Sequence, residues 1–132
     1  MPWNISPSTE EVHFLMESGF LYRDLGKFDE ARDVFNGVRA MLPSSEVPEV
    51  ALGTVTFQRG DFDGAARHYN RAVHLNPRSA FAHAHLGELS IFKKDKDSAR
   101  EHLKTAVELD PRGEFGKMAR GLLEFVDVVR FE

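Results

Sequence analysis

The chain alternates between two kinds of hydrophobic pattern. The stretch "AARHYNRAVHL", residues 65–75, places Ala65, Tyr69, Ala72 and Val73 at helical spacing with charged and polar residues between them. "SAREHLKTAVEL" does the same with Ala99, Leu103, Ala106 and Val107. Each is an amphipathic helix with one apolar stripe. The segments between, such as "VPEVALGTVTF" and "AFAHAHLGELSIF", are apolar on more than one side, as expected of helices covered from two directions. Ser8 with Glu11 forms a capping box that opens the first helix. Pro43, Pro77 and Pro111 follow helix ends, where they block continuation. The pattern predicts helices near 9–24, 28–41, 46–59, 62–75, 80–93 and 96–109. A seventh follows Pro111, with Phe115, Met118, Leu122, Val126 and Val129 on one stripe. The fold class is all-α.

These elements recur with a period of 34 residues: Gly19, Gly53 and Gly87; Ala31, Ala65 and Ala99; Phe35, Tyr69 and Leu103; and Pro43, Pro77 and Pro111. Leu52 and Leu86 precede their glycines, whereas the first copy has Ser18 there. Gly26 and Gly60 mark the turn inside the first two copies and Lys94 replaces them in the third. A small residue, an A-x-x-x-F/Y pair and a closing Pro at this period resemble the tetratricopeptide repeat (TPR). The repeats read as 12–45, 46–79 and 80–113, within a single domain: an extended lead over 1–8, units at 9–45, 46–79 and 80–113, and a capping helix over 114–132. The family's usual Trp position holds Leu15, Glu49 and His83, and its large residue three after the Gly is Tyr22, Thr56 and Ser90. The resemblance implies a right-handed superhelix of three hairpins closed by the seventh helix, and a role in binding another protein rather than in catalysis.

In such a superhelix the first helix of each hairpin lines the concave side. At about 100° per residue, positions 2, 5, 9 and 12 of each repeat fall on one face. They are His13, Met16, Phe20 and Arg23, then Val47, Val50, Thr54 and Phe57, then Phe81, Ala84, Glu88 and Ile91, with Phe92 at the end. Two readings fit this apolar face. The curvature buries part of it between adjacent helices, or it forms a groove for a peptide segment of a partner. Carboxylate-clamp members of the family hold a peptide C-terminus with Lys and Asn at positions 5 and 9; here those positions are Met16, Phe20, Val50, Thr54, Ala84 and Glu88, which excludes that clamp.

The stretch "AHAHLGE" brings His83, His85 and Glu88 together in sequence. Residues two apart on a helix differ by about 200°, so the two histidines cannot share a metal. His83 is expected on the packing face as an aromatic filler, and His85 beside Glu88 at the groove rim. His68 and His102 recur on the second helices and are expected to be solvated. With no phosphate loop, nucleophile elbow or metal-ligand motif, neither a catalytic site, a metal nor a cofactor is expected. A net charge of −4 over 132 residues offers no basic surface for nucleic acid. The absence of Cys and of any membrane-length apolar run points to a cytoplasmic protein without membrane insertion.

Three readings remain open. The seventh helix carries Phe125, Val128 and Phe131 beside its packing stripe, which suit local packing, a homodimer or a partner contact. The segment "MPWNISPS" either packs locally or lies in a groove through Trp3 and Ile5. Three repeats, one trailing helix and an apolar groove, with "LYRDLGKFDEARDVFNGV" and "GEFGKMARGLLEFVDVV", are also similar to the TPR-class chaperones of bacterial type III secretion. That resemblance implies an apolar secretion substrate held in the groove. A scaffold or assembly subunit that uses the cap helix or convex face is the rival.

Overall fold

A computed structural model of the chain describes residues 8–129. The readings that involve Trp3, Ile5 and Phe131 lie outside those residues. Seven helices follow one another: α1 (Thr9–Asp24), α2 (Phe28–Met41), α3 (Val47–Gln58), α4 (Phe62–Leu75), α5 (Ala80–Phe92), α6 (Lys96–Leu109) and α7 (Glu114–Val128). Helices α2, α4 and α6 begin and end at 34-residue intervals. The expected starts and stops hold to within a residue for the first six. Ser8, Asp61, Ser79 and Asp95 cap four of the helices, each accepting a hydrogen bond from the backbone N–H three residues on.

The helices pack as three antiparallel hairpins, with α7 laid across α5 and α6. The core divides into three clusters, each built where one hairpin meets the next helix. The first joins Phe35 and Val38 of α2 to Leu52 and Val55 of α3. The second places Tyr69 and Ala72 of α4 against Leu86 and Leu89 of α5. The third seats Ala119 and Val126 of α7 on Leu103 and Ala106. Within each hairpin a glycine admits the largest core side chain. A Cβ on Gly19 would overlap the Phe35 ring, one on Gly53 the Tyr69 ring, and one on Gly87 the Leu103 side chain. Phe35, Tyr69 and Leu103 are fully buried as a result.

Each of α1, α3 and α5 ends in the same turn. The N–H groups of Gly26, Gly60 and Lys94 donate to the carbonyls of Arg23, Phe57 and Ile91, and the next N–H of each reaches one residue further back. This is the Schellman arrangement, which needs a left-handed residue. Gly26 and Gly60 supply it at φ 77° and 85°; Lys94 adopts it at φ 61°, with the Cβ penalty that glycine avoids.

Repeat position 4 departs most from an ordinary core. Glu49 is 1% exposed and receives Arg39 at 3.3 Å, Arg71 at 3.0 Å and His68 Nδ1 at 3.0 Å. Burial pushes its carboxyl up, but the His68 hydrogen bond and the Arg39 charge outweigh that and hold it below the usual value. In the next repeat His83 takes the place of Glu49 and His102 that of His68. His83 Nε2 lies 2.9 Å from the Pro77 carbonyl and so donates to it, and the two Nδ1 atoms lie 3.1 Å apart. One proton at most fits between them. His83 is therefore a hydrogen-bonded core residue rather than a filler, and neither His68 nor His102 is simply solvated: the fold closes hairpin partners over both. In the first repeat the same two positions are Leu15 and Val34.

Lys94→Gly is expected to raise stability by about 1 kcal/mol through relief of the left-handed Cβ, read as a higher denaturation midpoint with unchanged slope; an unchanged or lower midpoint contradicts it. Burial, with the neighbouring His83, lowers the His102 pKa. The unfolded chain then takes up that proton first, so the stability present above about pH 6.5 is lost as pH falls through the folded-state value. Thermal midpoints are expected to drop between pH 7.5 and 5.5. The double variant His83→Leu/His102→Val, which installs the first repeat's apolar pair, should show a smaller drop; an equal drop would place the acid sensitivity elsewhere.

Candidate functional site

Helices α1, α3 and α5 and the start of α7 surround a cavity of about 720 Å³. Its apolar wall comes from Val12, Met16, Phe20, Val47, Phe81 and Phe115, and His13, Arg23, His85 and Glu114 stand around it. Phe81 and Phe115 stack with ring centroids 4.6 Å apart, which joins α5 to α7 along one side. Phe20 packs against Phe35 at 5.0 Å and carries the Arg23 guanidinium 4.8 Å from its centroid. A smaller cavity of about 320 Å³ lies between the ends of α5 and α7, lined by Glu88, Ile91, Phe92, Leu122 and Phe125.

The residues expected on this face divide by the way neighbouring helices pack. Met16, Phe20, Arg23, Val47, Phe81 and His85 line the first cavity, and Glu88, Ile91 and Phe92 the second. Val50, Thr54 and Ala84 do not face a groove. Val50 is fully buried in the cluster between α3 and α5, and α7 covers Ala84. Thr54, 4% exposed, donates to the Ala51 carbonyl and accepts from Arg23 Nη1 at 3.0 Å. Here the curvature buries the middle of the stripe and leaves its edges open. Phe57 turns away to pack with Phe62 and Phe92 at 5.2 and 4.9 Å. Phe125 belongs to the second cavity instead of the outer side, while Val128 is 80% exposed.

Sequence reasoning missed Val12, Leu42, Pro48 and Phe115, all of which line the first cavity. The helical stripe of α7 assigns Phe115 to cap packing; the contact of α7 with α5 brings it to the rim. Leu42 caps the end of α2, beyond its helical periodicity, and Pro48 lies in the first turn of α3, off the stripe that the helical wheel assigns to the groove.

Between the two cavities stands a polar strip. His85 Nδ1 lies 3.3 Å from Glu88 Oε1, as expected of that pair. The His85 ring stacks on Tyr69 at 5.7 Å. Tyr69 is fully buried, and its hydroxyl has no hydrogen-bond partner among the described residues. Burial first, then the Glu88 charge, push its pKa up, so the phenol stays neutral. Arg23 is spent on Asp24 at 2.9 Å and on Thr54. Among the described residues no group of three or more His, Cys, Asp or Glu is placed to hold a metal. None of their helices is long and apolar enough to cross a membrane.

Residues 50–114 match the family model described as tetratricopeptide repeat. No curated protein matches the chain in sequence. Among solved structures, the first TPR domain of human RPAP3 is 24% identical, with 88% of this chain and 89% of that one aligned at a TM-score of 0.76. The first TPR of Spaghetti (RPAP3), bound to the HSP90 peptide SRMEEVD, is 24% identical over 93% of this chain and 95% of that one, at 0.73. The Yersinia enterocolitica type III secretion chaperone SycD, in complex with a peptide of the translocator YopD, is 20% identical over 92% and 95%, at 0.72. The repeat period, the hairpin packing and these likenesses make the chain a tetratricopeptide repeat protein, with three repeats and a seventh helix that caps them.

Proposed function

We propose that the protein binds an apolar segment of a partner protein in the cavity enclosed by α1, α3, α5 and α7. The observation that carries this is the cavity's composition. About 720 Å³ is walled by Val12, Met16, Phe20, Val47, Phe81 and Phe115, with His13, Arg23, His85 and Glu114 among the polar lining residues. Apolar walls with a few convergent polar groups suit a buried ligand segment. RPAP3 and SycD, which share the fold, are each seen with a peptide bound. Positions 5 and 9 of the repeats hold no Lys or Asn, so an acidic peptide such as the SRMEEVD bound to RPAP3 fits this cavity poorly. An apolar internal segment fits it better. The narrower reading, a chaperone that keeps an apolar secretion substrate in solution, is supported by that chemistry and by the likeness to SycD.

One observation favours a second reading, a subunit of a larger assembly. The outer face of α1 exposes Phe14 at 69%, Leu21 at 60% and Leu25 at 63%. Two repeats on, the counterparts of the first two, Ala82 and Leu89, are buried against α4. A subunit would need its partner for solubility, whereas a chaperone is soluble alone and releases its segment.

Val47→Glu tests the groove directly. The substitution sits in the first turn of α3, where a carboxylate suits the helix N-terminus. It is expected to weaken binding of the partner segment at least tenfold by fluorescence anisotropy, with the helical circular dichroism retained. Unchanged affinity would move the contact off this cavity.

A further inference from the structure

The polar strip between the two cavities has chemistry of its own, and a role for it in recognition rests on the proposed groove function. Tyr69 occupies the place that Phe35 and Leu103 hold in the other repeats, so packing alone does not call for a hydroxyl there. That hydroxyl is buried and without a hydrogen-bond partner among the described residues, and the neighbours that reach the cavities are His85, stacked on its ring, and Glu88.

Arg23 is neutralised by Asp24, and its remaining reach goes to Thr54 and the Phe20 face. Among the described residues the His85 ring is the hydrogen-bond partner of Glu88, at 3.3 Å, and Glu88 lines the second cavity with its side chain 27% exposed. Of the Asp, Glu, Lys and Arg side chains that line the two cavities, Arg23 carries +1 and Glu88 and Glu114 −1 each, so these groups leave one net negative charge. The strip's accessible acceptor is the Glu88 carboxylate, next to the His85 ring, whereas the Tyr69 hydroxyl is fully buried and lines neither cavity. The apolar cavities on either side receive apolar side chains.

We infer that this strip is a cation subsite: the bound segment carries a Lys or Arg flanked by apolar residues, and its side chain donates to Glu88. Charge-assisted bonds of this kind are the strong ones, and in a partly desolvated floor they set register as well as affinity. An apolar groove alone would let a segment slide; one charged contact between two apolar cavities fixes its position.

The test is selection from a phage-displayed library of random peptides on the intact protein, followed by anisotropy on the selected peptides. The expected result is a set with apolar residues on both sides of a Lys or Arg at one position. Replacing that residue by Met should weaken binding at least tenfold to the wild type but hardly at all to Glu88→Gln. Peptides that bind with no cationic preference, or a preference that persists in Glu88→Gln, overturn the subsite and leave the groove standing. A library that yields no binder overturns the groove reading as well.

Discussion

The closeness of the two helices in each hairpin governs the rest of this structure. Gly19, Gly53 and Gly87 leave no side chain between backbone and the group opposite, and Phe35, Tyr69 and Leu103 fill that space to complete burial. A methyl group there would force the ring or branched side chain out of a close-packed interior. Because the same contact recurs every 34 residues, each hairpin presents the same shape to the next, and the clusters between hairpins result. The cavity is a consequence: α1, α3 and α5 are held at a fixed spacing, and α7 closes their open side.

That architecture was legible because its signals are local. Glycine opposite an aromatic or leucine and the helix cap at Ser8 lie within single hairpins, and the 34-residue period repeats the hairpin pattern. The groove was only partly legible. A helical wheel places Val50, Thr54 and Ala84 beside Met16 and Phe20, yet the wheel carries no information on how far adjacent helices lean together. The packing of α3 against α5, and of α5 under α7, buries the middle of the stripe. Phe115 and Leu42 reach the cavity through contacts between distant segments, which no single-helix pattern reveals.

The buried polar groups share one explanation. A repeat fold tolerates polar residues at position 4 if the second helix supplies a partner, and the chain does this twice, with Glu49 facing His68 and His83 facing His102. The pairs lie inside hairpins, whereas His85 lines the first cavity and Glu88 the second, and the buried Tyr69 hydroxyl has no hydrogen-bond partner among the described residues. The first kind of polar group serves stability and carries its pH dependence. The second kind is the one proposed to serve recognition.

The central claim is that recognition happens on the α1–α3–α5–α7 face. Site-specific photo-crosslinking tests it most directly, with a photoreactive side chain placed at His13 or Val47 on the cavity wall and at Asn70 or Lys104, which are exposed on α4 and α6. The account predicts that the cavity positions crosslink to one apolar segment of a single partner and that Asn70 and Lys104 do not. Crosslinks to that partner from Asn70 or Lys104 alone would contradict it.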